Sequence, residues 1–185
     1  MKRKTFFKKI PSEEITPLEI YMRFLDDKNS YFFESVEGGE KWAKYSIIGL
    51  PTDKKIKLSD SPLDEIDDFM KSQKVERIEG LPDFTGGLVG YFSYDTIRHI
   101  EKKLSNSKKP QLNYAEISLM ISDELIVYDN YEKNLFIIVN DSEKNEKLAN
   151  LRIDEILQQI NTPLEDQDNS KKNKIEFSSS LLYTS

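Results

Sequence analysis

The chain has 185 residues, enough for one domain, or one domain with an appendage, with a core of its own. Its formal net charge of −6 argues against nucleic acid as a partner, because phosphate binding needs a basic face; the Lys-rich start, Lys2 to Lys9, is too short to change that and reads as a solvated end. The absence of cysteine excludes disulfides, thiolate metal sites and a Cys nucleophile.

Taken in chain order, the first element is a helix. Thr16 can cap it, Pro17 fits the first helical position and Glu19 completes a capping box. Leu18, Tyr21, Met22 and Leu25 then fall on one face. Strands are expected over Tyr31–Val36, Tyr45–Leu50 and Lys54–Leu58. Ser61 and Pro62 repeat the cap-and-proline start, with Leu63, Ile66, Phe69 and Met70 as the apolar stripe. The acids Asp64, Glu65, Asp67 and Asp68 lie largely off that stripe and read as a solvated helix face, not as a metal site.

Further strands are expected over Gly87–Tyr94, Glu116–Ser122, Leu125–Asp129 and Leu135–Asn140. The last two flank a five-residue hairpin loop, Asn130 to Asn134. Leu148, Leu151, Ile156 and Ile160 suggest a closing helix. Most strands join through short loops, so the expected fold class is α+β: a mainly antiparallel sheet with helices packed on it. Residues 1–160 are expected to form this domain and 161–174 a polar linker. Residues 175–185 read as the start of a further portion that is absent. No apolar leader or membrane-length run is visible, so a cytoplasmic protein with no membrane partner is the expectation.

Chemistry is sparse. His99 is the only histidine, and nothing near it resembles a nucleophile elbow. Gly86-Gly87-Leu88-Val89-Gly90 lacks the Lys-Ser/Thr of a phosphate loop and the spacing of a dinucleotide fingerprint. A strand closely approached by another backbone explains those glycines better. No catalytic residue, metal ligand set or cofactor is assigned to the chain.

The segment Tyr31 to Gly49 offers more. Tyr31-Phe32-Phe33 reads as a buried strand that releases Glu34 and Ser35 into a loop. Glu34 brings a carboxylate acceptor and Ser35 a hydroxyl. Glu37-Gly38-Gly39-Glu40 is a flexible turn. Trp42 and Tyr45 add aromatic surface and Lys44 a cation. Such a loop could hold a zwitterion, its ammonium at an acceptor and its carboxylate at a cation. A plain charged loop beside a core strand fits the same residues, and on chemistry alone that reading is ahead.

At these residues the sequence resembles a known family. Phe33-Glu34-Ser35, followed by a loop and then Tyr45-Ser46-Ile47-Ile48-Gly49, is similar to the N-terminal region of anthranilate synthase component I. Gly86-Gly87-Leu88-Val89-Gly90-Tyr91-Phe92-Ser93-Tyr94-Asp95, with Arg98 and Glu101 after it, resembles a second block of that family, in the right order and at a fitting distance. Aminodeoxychorismate synthase component I shares the second block but fits the Glu-Ser loop less well, and a stand-alone interaction module from a truncated gene is the other alternative.

The resemblance implies a part of an enzyme that makes anthranilate from chorismate, with Mg²⁺ and with ammonia from a glutamine amidotransferase subunit, under feedback inhibition by L-tryptophan. It implies that Glu34 and Ser35, and with less direct correspondence Lys44, contact the tryptophan. It implies part of a two-sheet sandwich with outer helices. The catalytic residues and Mg²⁺-binding acids of that family lie in its C-terminal portion, so none is carried over here, and the absent portion is itself an expected partner.

Overall fold

The computed structural model describes residues 2–12, 14–26, 28–34, 44–58, 62–104 and 115–163. Seven strands and four helices are defined among them. The strands are β1 (Arg3–Pro11), β2 (Asn29–Glu34), β3 (Tyr45–Thr52), β4 (Gly87–Phe92), β5 (Ile117–Ser122), β6 (Glu124–Asp129) and β7 (Asn134–Ser142). The helices are α1 (Pro17–Arg23), α2 (Pro62–Ser72), α3 (Ile97–Ile100) and α4 (Glu146–Asn161). Five strands form one sheet in the order β1-β7-β6-β3-β2, and β4 pairs with β5 in a second. Every strand pairing among the described residues is antiparallel, and with the helices this makes the fold α+β, as the sequence implies.

The central strands are apolar on both faces. Ile126 and Tyr128 of β6, with Leu135, Ile137 and Val139 of β7, join Ile20 of α1, Phe24 at its C-terminal cap, and Ala149, Ile153, Ile156 and Ile160 of α4 in the main core. Leu125, Val127, Phe136 and Ile138 face the other way, where Leu81 and Phe84 cover them. Tyr31 with Val89 and Met120 then packs the second sheet onto the first. Each fully buried aliphatic side chain of this kind contributes about 1.5–3 kcal/mol.

Several local expectations change. The Lys-rich start is not a solvated end: it forms β1, paired with β7 from Arg3↔Ser142 to Pro11↔Asn134. Thr5 and Phe6 are buried, while Lys4, Lys8 and Lys9 stay at the surface. Lysines on an edge strand discourage further pairing, which is why the segment can be both charged and structural. The strand expected over Lys54–Leu58 reduces to a single bridge, Lys55↔Met120.

The hairpin loop loses a residue, because Asn134 already pairs with Asp129, and Lys133 takes a positive φ of 52° in the turn. The capping box of Thr16 and Glu19 forms at the start of α1, but the buried residues are Ile20 and, at the C-terminal cap, Phe24; of the expected face Tyr21 packs on the core, while Leu18, Met22 and Leu25 are exposed. In α4 the buried stripe is Ala149, Ile153, Ile156 and Ile160, with Leu148 and Leu151 63% and 60% exposed. The cap expected at Ser61 and the part of the expected linker and C-terminal segment from Leu164 on lie outside the described residues.

Candidate functional site: the β2–β3 sheet end

The site is framed by the pairing of β2 with β3. Tyr31 stands opposite Gly49, Phe33 opposite Ile47 and Glu34 opposite Ser46. A Cβ on Gly49 would run into the Tyr31 ring, so only glycine lets this ring lie across the neighbouring strand. The Tyr31 hydroxyl and the Ser122 hydroxyl share a hydrogen bond of 2.8 Å, which ties β2 to the second sheet. Burial pushes the Tyr31 phenol up to about 12, with the Ser122 hydrogen bond acting in the opposite direction.

This frame fixes where the polar residues emerge. Glu34 is exposed and ends β2; Lys44 immediately precedes β3. Both therefore stand at the same end of the sheet, on the two sides of one connection. The structure brings these two predicted residues to a common place, while Ser35, the third, lies outside the described residues.

Lys44 is held in position. Its carbonyl accepts the backbone N–H of Asn130 at 2.8 Å. Its ammonium lies 3.6 Å from Asp129 Oδ2 and 5.1 Å from the Tyr45 ring centroid. A hydrogen bond to the Tyr45 side chain raises the ammonium above its ordinary range, with Tyr45 and Asp129 charge acting in the same direction.

Asp129 is buried, and its Oδ1 accepts the N–H groups of Tyr131 and Glu132, each at 3.0 Å. Ser46, also buried, exchanges hydrogen bonds with the Asn130 side chain at 3.2 and 3.4 Å. Sequence reasoning missed Asp129, Asn130 and Ser46 as parts of this end. Asp129-Asn130 at the close of an apolar run was the available signal, since both residue types bond to turn backbone.

Other candidate groups have structural partners. His99 Nε2 is 2.9 Å from Glu116 Oε2, and Arg98 pairs with Asp95 at 2.7 Å. A Cβ on Gly86 would come within 2.5 Å of Asn140 Nδ2 and 2.7 Å of the Ser122 carbonyl, so this glycine serves a close approach. Among the described residues no three acidic or imidazole side chains gather closely enough to hold a metal ion. No helix among the described residues is long and apolar enough to cross a membrane.

The family model described as chorismate binding enzyme matches residues 28–182, which include both strands of this site. The chain belongs to the chorismate-binding enzyme family. Curated relatives agree. Anthranilate synthase component 1 of Pseudomonas aeruginosa is 38% identical over 80% of the chain, and that of Pseudomonas putida 41% over 67%. The Acinetobacter calcoaceticus protein of the same name is 36% identical over 90% of the chain. The chain spans only 35%, 29% and 38% of the length of these three relatives. The crystal structure of anthranilate synthase component I from Streptococcus pneumoniae shares the fold at a TM-score of 0.54 and 19% identity, covering 84% of this chain and 37% of that one. Within the chorismate-binding enzymes, this chain is therefore a region like that of anthranilate synthase component I.

Proposed function

We propose that this chain is the tryptophan-sensing region of an anthranilate synthase component I, and that it works as a regulatory part and not as the seat of chemistry. The observation that carries the reading is the shared sheet end: Glu34 and Lys44 flank one connection, fixed there by the β2–β3 and β3–β6 pairings. In this reading the effector's ammonium meets Glu34 and the Ser35 hydroxyl, and its carboxylate turns to Lys44. Asp129 keeps its two backbone N–H donors whether or not Lys44 stays beside it, so an effector can draw on that ammonium at small cost. The similarity to anthranilate synthase component 1 of three bacteria supports anthranilate synthase over aminodeoxychorismate synthase.

Inhibition then follows from population shift: tryptophan lowers turnover only as far as it binds one conformation better than another. Conversion of chorismate to anthranilate, Mg²⁺, and ammonia from a glutamine amidotransferase subunit belong, in this reading, to the protein at the relatives' full length. A cytoplasmic location goes with that biosynthetic role.

The test is feedback inhibition in a protein of that length. Glu34→Lys and Ser35→Phe should each raise the tryptophan concentration for half-inhibition by about tenfold or more, the loss of roughly one charge-assisted contact. Turnover without tryptophan that fell in parallel with sensitivity would mark the site as structural. Anthranilate produced from chorismate, Mg²⁺ and ammonium by this chain alone would overturn the purely regulatory reading.

A further inference from the structure

The apolar stripe of α2 does not enter the core. Leu63, Ile66 and Phe69 are half-buried and Met70 is 43% exposed, and none of them belongs to the three buried clusters. Beneath the C-terminal half of the helix lies a cavity of about 400 Å³. That is within the size of small-molecule sites, about 300–1,000 Å³. Phe69, Met70, Val75 and Ile121 give it an apolar wall.

Its other wall is polar and mostly committed. Asn140 accepts the Thr5 hydroxyl at 2.7 Å and donates to the carbonyls of Thr85 at 2.6 Å and Asp123 at 3.3 Å. Arg3 uses a single nitrogen, Nη2, for Asp123 Oδ1 at 2.5 Å and the Asn140 carbonyl at 3.1 Å. Its Nε and Nη1 have no partner among the described residues. Lys54 binds the other oxygen of the same Asp123 at 2.8 Å, so two cations share one carboxylate. Lys74, at the cavity edge, has no acidic partner among the described residues, whereas Lys71 is paired with Asp67. A chain of net charge −6 thus presents a positive excess here.

We propose that this cavity is a second small-molecule site, one that takes a monocarboxylate with an apolar body. The carboxylate meets the spare N–H groups of Arg3 with Lys74 beside it, and the body lies against Phe69, Met70 and Ile121. Guanidinium donors suit a planar carboxylate better than a hydroxyl or an amine. The site is distinct from the one at Lys44: Asp123 immediately precedes β6 and Asp129 ends it, about 20 Å apart along the strand.

The probe is 3-phenylpropionate, titrated calorimetrically into the chain, with 3-phenylpropylamine and 3-phenylpropanol as charge controls. Saturable binding of the acid, at least tenfold tighter than either control, is expected. Lys74→Glu, an exposed change, should weaken it about fivefold or more, and Met70→Trp, which fills the cavity, should abolish it, with circular dichroism unchanged in both. Glu34→Lys should leave it intact. Absence of binding, equal binding of the amine, no effect of Lys74→Glu, or loss through Glu34→Lys would each overturn the proposal.

Discussion

Asp129 is a buried carboxylate with two separable tasks. Oδ1 closes the β6–β7 turn through Tyr131 and Glu132, and Oδ2 faces Lys44. The ion pair is open to solvent on the lysine side, so water screens it and it adds little to stability. The turn bonds are different, because removing the acceptor strands two backbone donors. Asp129→Asn should therefore cost under about 1 kcal/mol and Asp129→Ala about 2–3 kcal/mol in urea unfolding.

Tyr31 makes a prediction in pH. Its folded pKa of about 12 is above the unfolded value near 10, so between these two the folded state holds more protons. The stabilisation is complete below about pH 10 and is lost as pH rises toward 12, amounting to about 2–3 kcal/mol. Chemical unfolding of Tyr31→Phe across that window should show a shallower alkaline decline than the parent chain. Equal slopes would mean that the phenol is not held neutral by burial.

At the scale of elements, α4 shows how one pattern admits two faces. Leu148, Leu151, Ile156 and Ile160 are all apolar, but the sheet receives Ala149, Ile153, Ile156 and Ile160. These positions recur at intervals of three and four, and a small alanine lets the helix approach β7 and β1. Ile156→Ala should cost about 2–5 kcal/mol, and Leu151→Ala less than about 0.5 kcal/mol, by thermal or urea unfolding.

In α1 the same ambiguity arises over seven residues, where the capping box was legible and the buried face was not. Caps are local contacts between neighbours in sequence; which face is buried depends on the partner that covers it. β1 went unread for a related reason. Its lysines mark a charged segment, and only the edge of β7 turns it into a strand.

Across the molecule, apolar surface is unevenly covered. Phe92 and Ile100 are more than half exposed and Tyr94 is 92% exposed, all on the stretch from β4 to α3. Exposed patches of this kind bind apolar dyes and partner proteins. Tyr94→Ser combined with Ile100→Ser should cut the fluorescence of bound 8-anilinonaphthalene-1-sulfonate by about half. The unfolding midpoint should move by less than about 2 °C, because side chains already in water contribute little to stability. A large fall in midpoint would show that these residues support the fold.

The sequence by itself determined the fold class, the antiparallel β6–β7 hairpin, the capped start of α1, and the two blocks that mark the family. These depend on periodicity, turn chemistry and ordered motifs, all carried by neighbouring residues. The tertiary structure alone decided that β1 closes the sheet, that α4 buries one apolar stripe and not the other, and that Asp129 lies beside Lys44. It also decided that Arg3, Asp123 and Asn140 meet under α2. Those groups are separated by up to 137 positions, and only strand pairing brings them together.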